Sequence, residues 1–544
     1  NAKDLIRFTV YDELTLQDDA QDQGLHRDPN VYKHITLRRY LGSLSIPVNT
    51  IYWAQCLQGA FHLRGPGEGG GAGAPVNLGF RQLHCTEPRL LNLYITLTPE
   101  LAHPEPVLDD WQCGEEGEIA RLVIQWEKSL FANPICKGRV IKAMATDPEG
   151  TAVFLPRYIC PMAPPDCLLQ QHASASHATG GSDSLDPKAS TADDPLMRRM
   201  LRFVSMIPFA PDLRTIRRHT DVWMTCRDFF DLCAGDNEEH AITLCNYLLY
   251  INQQAFVALG TGIQDGEAAY VITLGALSGE GDEVISWRRG RAMVWDPSNG
   301  HVCAVGDHTC GLRQVGVLFN DRNIWANIQA RGEPWEISFD LSDQRCWKPF
   351  FQDKGSRRPE LGTVQVPMKY TSIPSEFFRE LELFLERHIM DVISGARRLT
   401  YTRFNRRCTR VLKQLLKDLE LQQQALPLPT TSEDESPLFR MDRNRILFGN
   451  AIGSFLSEDL VSSNVEDSHY SALAPFMKTH DVMGFPLNMP LTDPESITKA
   501  VLSTEIHQNY SKNVEFAVAT YVYSYGVSFV CSLWIYVATL QKKV

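Results

Sequence analysis

The stretch Ala234-Gly235-Asp236-Asn237-Glu238-Glu239-His240, together with the chain from there to residue 300, decides how the remaining sequence is read. Ala241, Leu244, Cys245, Leu248 and Leu249 recur at helical spacing just after it, which predicts a helix. Asp236 is suited to the N-cap, and Glu239 three residues later completes an acidic capping box. Residues 254–260, 269–274 and 291–295 have the apolar, β-branched composition of strands. The last of them runs into Trp295-Asp296-Pro297.

A glycine, a helix, and then strands with an aspartate at the end of one is an order that resembles the papain-like and transglutaminase-like cores. In those families a Cys at the helix start is activated by the macrodipole and the unpaired N–H groups. A His on one strand takes its proton and an Asp on the next orients the His. The family pattern runs Gly-x-Cys-x-x-x-Ala, then His-x-Trp, then Asp-Pro. Here Gly235 and Ala241 fit, and Asn237 stands where the Cys belongs. Ala268-Ala269-Tyr270 stands where His-x-Trp belongs, and only Asp296-Pro297 survives. An amide cannot become a thiolate, and a methyl group cannot accept a proton. The resemblance therefore implies a transglutaminase-like fold without its chemistry, in which Asn237, Ala268 and Asp296 mark a vestigial cleft and no residue is catalytic.

Composition sets outer bounds. At 544 residues the chain is long enough for three or four domains, and its net charge of -12 argues against a general nucleic-acid binder. The 14 cysteines show neither zinc-ribbon nor Cys-x-x-Cys spacing, so a reducing compartment is expected. The first residues, Asn-Ala-Lys-Asp-Leu, contain no initiator Met and no signal peptide, as expected of a piece of a longer protein.

Residues 5–11 alternate as a strand and end in Asp12-Glu13, before an acidic loop bearing Asp18, Asp19 and Asp22. A calcium loop of a C2 sandwich needs a second aspartate two positions after the first, where this chain has Leu14, so a solvated acidic loop is the simpler expectation. Residues 65–75 are glycine-rich without the Gly-Lys-Ser/Thr ending of a phosphate cradle and read as a loop. A strand is expected at 90–97, a helix at 115–130 and a short strand at 152–155. Residues 170–194, rich in Ser, Gly, Asp and His, carry the composition of a disordered linker, and a helix is expected next at 197–206.

Past the central stretch, His301, Cys303, His308 and Cys310 have zinc-ligand chemistry at a spacing that matches no known finger, and no metal site is assigned. A helix over 375–394 is expected to stop at Gly395. A second, over 399–421, would align Arg403, Arg406, Arg407, Arg410, Lys413 and Lys417 on one face. That stripe is either a solvated face or a docking surface for an acidic partner or anionic lipid, with Arg403, Arg406, Arg407 and Arg410 as its partner-binding residues. Residues 516–540 are uncharged and long enough to span a bilayer, but their alternation, interrupted by Gly526, predicts a buried hairpin.

The segments 37–52, 234–249, 323–351 and 484–540 carry a resemblance to the coiled-coil and C2 domain-containing family of the ciliary transition zone. The motifs include Leu37-Arg38-Arg39-Tyr40-Leu41-Gly42 and Trp347-Lys348-Pro349-Phe350-Phe351, with Gly484-Phe485-Pro486-Leu487-Asn488-Met489-Pro490 near the end. It implies a multidomain α+β fold: a partial C2 β-sandwich, a papain/transglutaminase-like α+β core, and a C-terminal α/β module ending in an antiparallel hairpin. The expected divisions are 1–80 (C2 part), 81–168 (connector), 169–195 (linker), 196–421 (core), 422–443 (linker) and 444–544 (C-terminal module). The resemblance also implies a cytoplasmic, cytoskeleton-associated scaffold at the cilium base that needs no cofactor. Its partners would be C2-like proteins and other members of a transition-zone complex, and ciliary membrane proteins or the membrane surface. Acidic tubulin tails are a further expected partner beside the basic stripe, and neither nucleic acid nor a small-molecule substrate is expected. Two alternatives stay open: a working cysteine hydrolase or transglutaminase using an unaligned thiol such as Cys233, Cys245 or Cys303, and a C2-led, calcium-dependent membrane-binding protein.

Overall fold

The computed structural model describes residues 5–17, 34–48, 50–51, 56–63, 90–99, 112–115, 117–169, 195–210, 222–263, 267–274, 292–307, 310–352, 361–397, 400–425, 473–510 and 513–543. Expectations for the glycine-rich segment, the 170–194 linker, His308 and the acids at 18, 19 and 22 fall outside these residues.

Strands β1 (Leu5–Gln17) and β2 (His34–Pro47) form one antiparallel hairpin, and β3 (Cys56–His62) and β4 (Leu90–Thr96) another. Leu44, Ile46, Ile51, Leu57 and Phe61 are buried between them, with Leu91, Leu93 and Ile95 of β4 packed alongside. This is the partial sandwich, and it runs past residue 80 because β4 supplies a wall of its core. Asp12 and Glu13 do not end a strand. They pair in register with Arg39 and Arg38 inside the β1–β2 ladder.

Helix α1 (Gly117–Phe131) buries Ile119, Val123, Trp126 and Leu130, one residue per turn along a single stripe. The short strands β5 (Gln112–Cys113), β6 (Met144–Thr146) and β7 (Thr151–Phe154) form a small sheet beside it. This connector is part of the central core rather than a spacer. Trp126 and Phe154 pack against Phe350 at 5.7 and 4.8 Å between ring centroids. The Arg139 guanidinium donates to the carbonyls of Asn327 and Gln329, both at 2.6 Å.

Helices α2 (Pro195–Ser205), α3 (Cys226–Leu232) and α4 (Asn237–Tyr250) lead into the central sheet. Its strands are β8 (Gln254–Gly262), β9 (Glu267–Leu274), β10 (Met293–Asp296), β11 (His301–Ala304), β12 (Leu312–Phe319), β13 (Ile324–Asn327) and β14 (Trp347–Pro349). They lie antiparallel in the order β11-β10-β9-β8-β12-β13-β14. Alternation sends two sets of side chains to two faces. Val257, Leu259, Ala269, Val271, Trp295 and Val317 share a core with α4. Phe256, Ala258, Ala268, Tyr270, Val294, Cys303 and Leu318 build a separate core on the far side. Gly260 lies where β12 shifts register, and a Cβ there would come within 1.8 Å of the Gln314 carbonyl oxygen.

In the C-terminal module, α5 (Ser375–Ala396) runs straight through Gly395, which is the penultimate helical residue rather than the stop. The next elements are β15 (Arg403–Phe404), α6 (Arg406–Ala425), β16 (His480–Pro490), α7 (Pro494–Leu502), β17 (Glu515–Ser524) and β18 (Cys531–Lys542). The sheet order is β15-β17-β18-β16. Helices α5 and α7 pack on one face through Phe378, Leu385, Ile389, Ile497 and Val501. Helix α6 covers the other through Cys408, Leu412, Leu415, Leu416 and Leu419. The two helices expected within the 196–421 core thus belong to this three-layer module, because their apolar faces find this sheet. The expected hairpin is β17–β18, whose uncharged residues pack against helices on both sides. Pro486 and Pro490, four residues apart on the same side of β16, interrupt the donor row on the outer edge of that strand.

Core and module meet at a buried ion pair. Arg202 of α2 donates from Nη2 to Glu420 of α6 at 2.8 Å, and also to Asn488 of β16 and Ser532 of β18. Trp534 Nε1 donates to the same carboxylate at 2.6 Å. Burial works to raise the Glu420 carboxyl, but the Arg202 guanidinium and the hydrogen bonds from Gln424 and Ser532 more than offset it and keep it ionised. Among the described residues, no helix is long and apolar enough to cross a membrane.

Candidate functional site

The start of α4, which the sequence aligns with the nucleophile position of papain-like cores, is buried. The Asp236 side chain accepts the Glu238 N–H at 3.1 Å. Glu239 reaches back to the Asp236 N–H at 3.0 Å, the capping box foreseen from sequence. Glu239 also accepts the Met224 N–H at 2.9 Å, and it is 1% exposed. Burial pushes its carboxyl up to about 7, against the opposing pull of those donors. His240, fully buried, has Nδ1 2.5 Å from the Asp236 carbonyl and Nε2 3.0 Å from the Ile207 carbonyl. Burial holds its imidazole below the ordinary value while the two carbonyls pull the other way. Each ring nitrogen faces a backbone carbonyl, an acceptor only, so neither faces a side chain whose proton it could take. Asn237, the first residue of the helix, is 5% exposed.

The three residues expected to mark one cleft lie on opposite sides of the sheet. Trp295 points to the α4 side of the sheet, so Asp296 takes the other side, where Tyr270 and Cys303 lie. Ala268 is on that far side too, and its neighbour Ala269 is the one that faces α4. The expected single cleft of Asn237, Ala268 and Asp296 is corrected to one residue on the helix side and two behind the sheet. Asp296 is occupied locally, accepting Ser298 Oγ at 2.7 Å and Asn299 Nδ2 at 2.5 Å across its own turn.

Thiols near the helix are poorly suited to nucleophilic work. Cys233, at φ 50°, donates its S–H to the Ser528 carbonyl at 2.9 Å and the Phe230 carbonyl at 3.2 Å. Burial pushes that thiol up, and does the same to Cys245 deep inside the core. Hydrogen bonding with Cys310, together with burial, raises Cys303 well above its ordinary value. His301 is half-buried on β11, and among the described residues no group of three or more His, Cys, Asp or Glu is placed to hold a metal ion.

The basic stripe is rearranged rather than lost. Asn405 caps α6, its Oδ1 accepting the Cys408 N–H at 3.1 Å, so the helix begins at Arg406 and not at residue 399. Arg403 lies instead on β15, in register with Glu515 of β17. Arg403, Arg406, Arg407 and Arg410 are all exposed. Lys413 leaves the stripe for an ion pair with Glu382, and Lys417 stands 5.8 Å from the Tyr521 ring. Sequence reasoning missed Tyr401, the most exposed large side chain here at 85%, which has Arg403 5.9 Å from its ring. Its spacing of two from Arg403 was the available signal.

Residues 221–350 match the family model described as CEP76 peptidase-like domain. The match runs from just before α3 through β14, within the part expected to be papain- or transglutaminase-like. Human Protein CC2D2B is 28% identical over 560 residues, covering 99% of this chain and 33% of that protein. The fruit-fly (Drosophila melanogaster) Coiled-coil and C2 domain-containing protein 2A is 21% identical over 552 residues, covering 100% and 35%. Mouse Centrosomal protein of 76 kDa is 24% identical over 288 residues, covering 51% and 38%. The chain thus spans about a third of the length of the first two relatives. From end to end it is a homologue of the coiled-coil and C2 domain-containing proteins, with a CEP76 peptidase-like domain at its centre.

Proposed function

We propose that this chain is part of a non-enzymatic scaffold at the ciliary base, in the transition zone, and that its peptidase-like domain is a degenerate fold kept for its shape. The observation that carries this is the sealed start of α4: Asn237 stands in the nucleophile's position, and His240 is locked between two carbonyls. The C2 and centrosomal names of its relatives support the cellular setting. With that helix start buried, partners would be engaged on outer faces. They are C2-like proteins and other members of a transition-zone complex, together with ciliary membrane proteins or the membrane surface. The test is replacement of the full-length protein in ciliated cells by tagged variants. Concentration at the cilium base, and full rescue by Asn237→Ala and Cys233→Ser, are expected. Loss of rescue by Cys233→Ser, together with covalent labelling of that thiol by a peptide electrophile, would identify a working hydrolase instead.

A further inference from the structure

Four arginines lie within eight residues at the edge of the C-terminal module, and the placement of each points outward. Arg403 is on β15, the edge strand of its sheet, which among the described strands pairs with β17 alone. Arg406 and Arg407 open α6, and Arg410 lies one turn on from Arg406. All are exposed, and among the described residues none is in an ion pair. Glu515, the register partner of Arg403 on β17, accepts Asn405 Nδ2 at 2.8 Å. The first turn of α6 contains no acid. Arginines there repel the positive end of the helix, a local cost that an external anion would offset.

From this we infer that the Arg403–Arg410 face docks an extended acidic peptide, which deepens the scaffold proposal by naming the chemistry of one partner. Three features favour a peptide over a membrane surface. All four cations are arginines, whose planar forks match carboxylates two bonds at a time. Arg406 and Arg410 stand about 6 Å apart along the helix axis, close to the roughly 7 Å between alternate side chains of an extended strand. The short edge strand β15 lies beside them, and the exposed Tyr401 ring stands 5.9 Å from the Arg403 guanidinium. A peptide with acids at every second position therefore meets guanidinium groups at its own repeat.

The experiment uses the purified 544-residue chain, a fluorescent decapeptide of alternating Glu and Gly, its Gln counterpart, and vesicles containing phosphatidylserine. The Glu peptide is expected to bind, the Gln peptide to bind at least tenfold more weakly, and threefold more salt to weaken the Glu complex severalfold. The surface double variant R406Q/R410Q should lose about fivefold or more in affinity with no fall in melting temperature. Lys417→Gln should bind as the parent does. Equal binding of both peptides, or an unaffected double variant, overturns the proposal. Binding to vesicles without binding to the peptide also overturns it and assigns the face to a membrane. Any of these failures leaves the localisation and rescue result intact, so the two proposals fail separately.

Discussion

Two helices of this protein begin in opposite ways. Helix α4 begins inside the core, with Asp236 and Glu239 closing a capping box and His240 held by carbonyls. Helix α6 begins at the surface, with Asn405 as its cap and Arg406 and Arg407 in its first turn. At α4 the partial positive charge of the helix meets carboxylates and is satisfied from within. At α6 it meets more positive charge. One helix start is a joint closed within the core, and the other presents its charge to solvent.

Four tests bear on this contrast. Glu239→Ala leaves the Met224 and Asp236 N–H groups buried without their acceptor, and should lower stability by about 4 kcal/mol in denaturant melts. Arg407→Ala should cost nothing measurable, and similar losses from the two changes would erase the distinction. The second concerns pH. The Glu239 carboxyl rises from an ordinary 4.5 to about 7 in the folded protein, so the fold holds its proton more tightly than the unfolded chain does. Its contribution is complete below 4.5 and is lost as pH rises through 7, an effect of about 3 kcal/mol. His240 is shifted down and so acts in the opposite sense, losing stability as pH falls below 6.5. Subtracting the pH profile of Glu239→Gln from that of the parent isolates the carboxyl, and a flat difference would refute its raised value. Third, Asn405→Ala should cost about 1 kcal/mol, read as a fall in melting temperature. Fourth, Arg406→Glu should stabilise the chain by about 0.5 kcal/mol by reversing the charge at the dipole end, while weakening capture of an acidic peptide.

Much of this was legible in local pattern. The capping box of α4, the strands β8, β9 and β10, and the β17–β18 hairpin follow from spacing and alternation. The failures have physical reasons. An aligned motif gives a residue's place along a strand, but the face depends on a parity of one residue, and Ala268 and Ala269 differ in nothing else the sequence displays. Arg403 fits a helical spacing, yet Asn405 offers its side chain to the Cys408 N–H and sets the helix start three residues later, at Arg406. Asp12 and Glu13 look like loop acids until β2 brings Arg39 and Arg38 opposite them. Glu420, on a charged helix, reads as solvated. Its partner Arg202 lies 218 positions away, a separation no window along the chain can reveal.

That last pair has a mechanical consequence. Arg202 and Glu420, with Asn488, Ser532 and Trp534, pin one helix of the central core to three elements of the C-terminal module. Sliding them apart would leave a carboxylate and a guanidinium unpaired in a buried surround, so the joint fixes one register between the two parts. A load applied to the terminal hairpin is therefore handed to the central sheet without a hinge between. The two parts should therefore melt as a single unit.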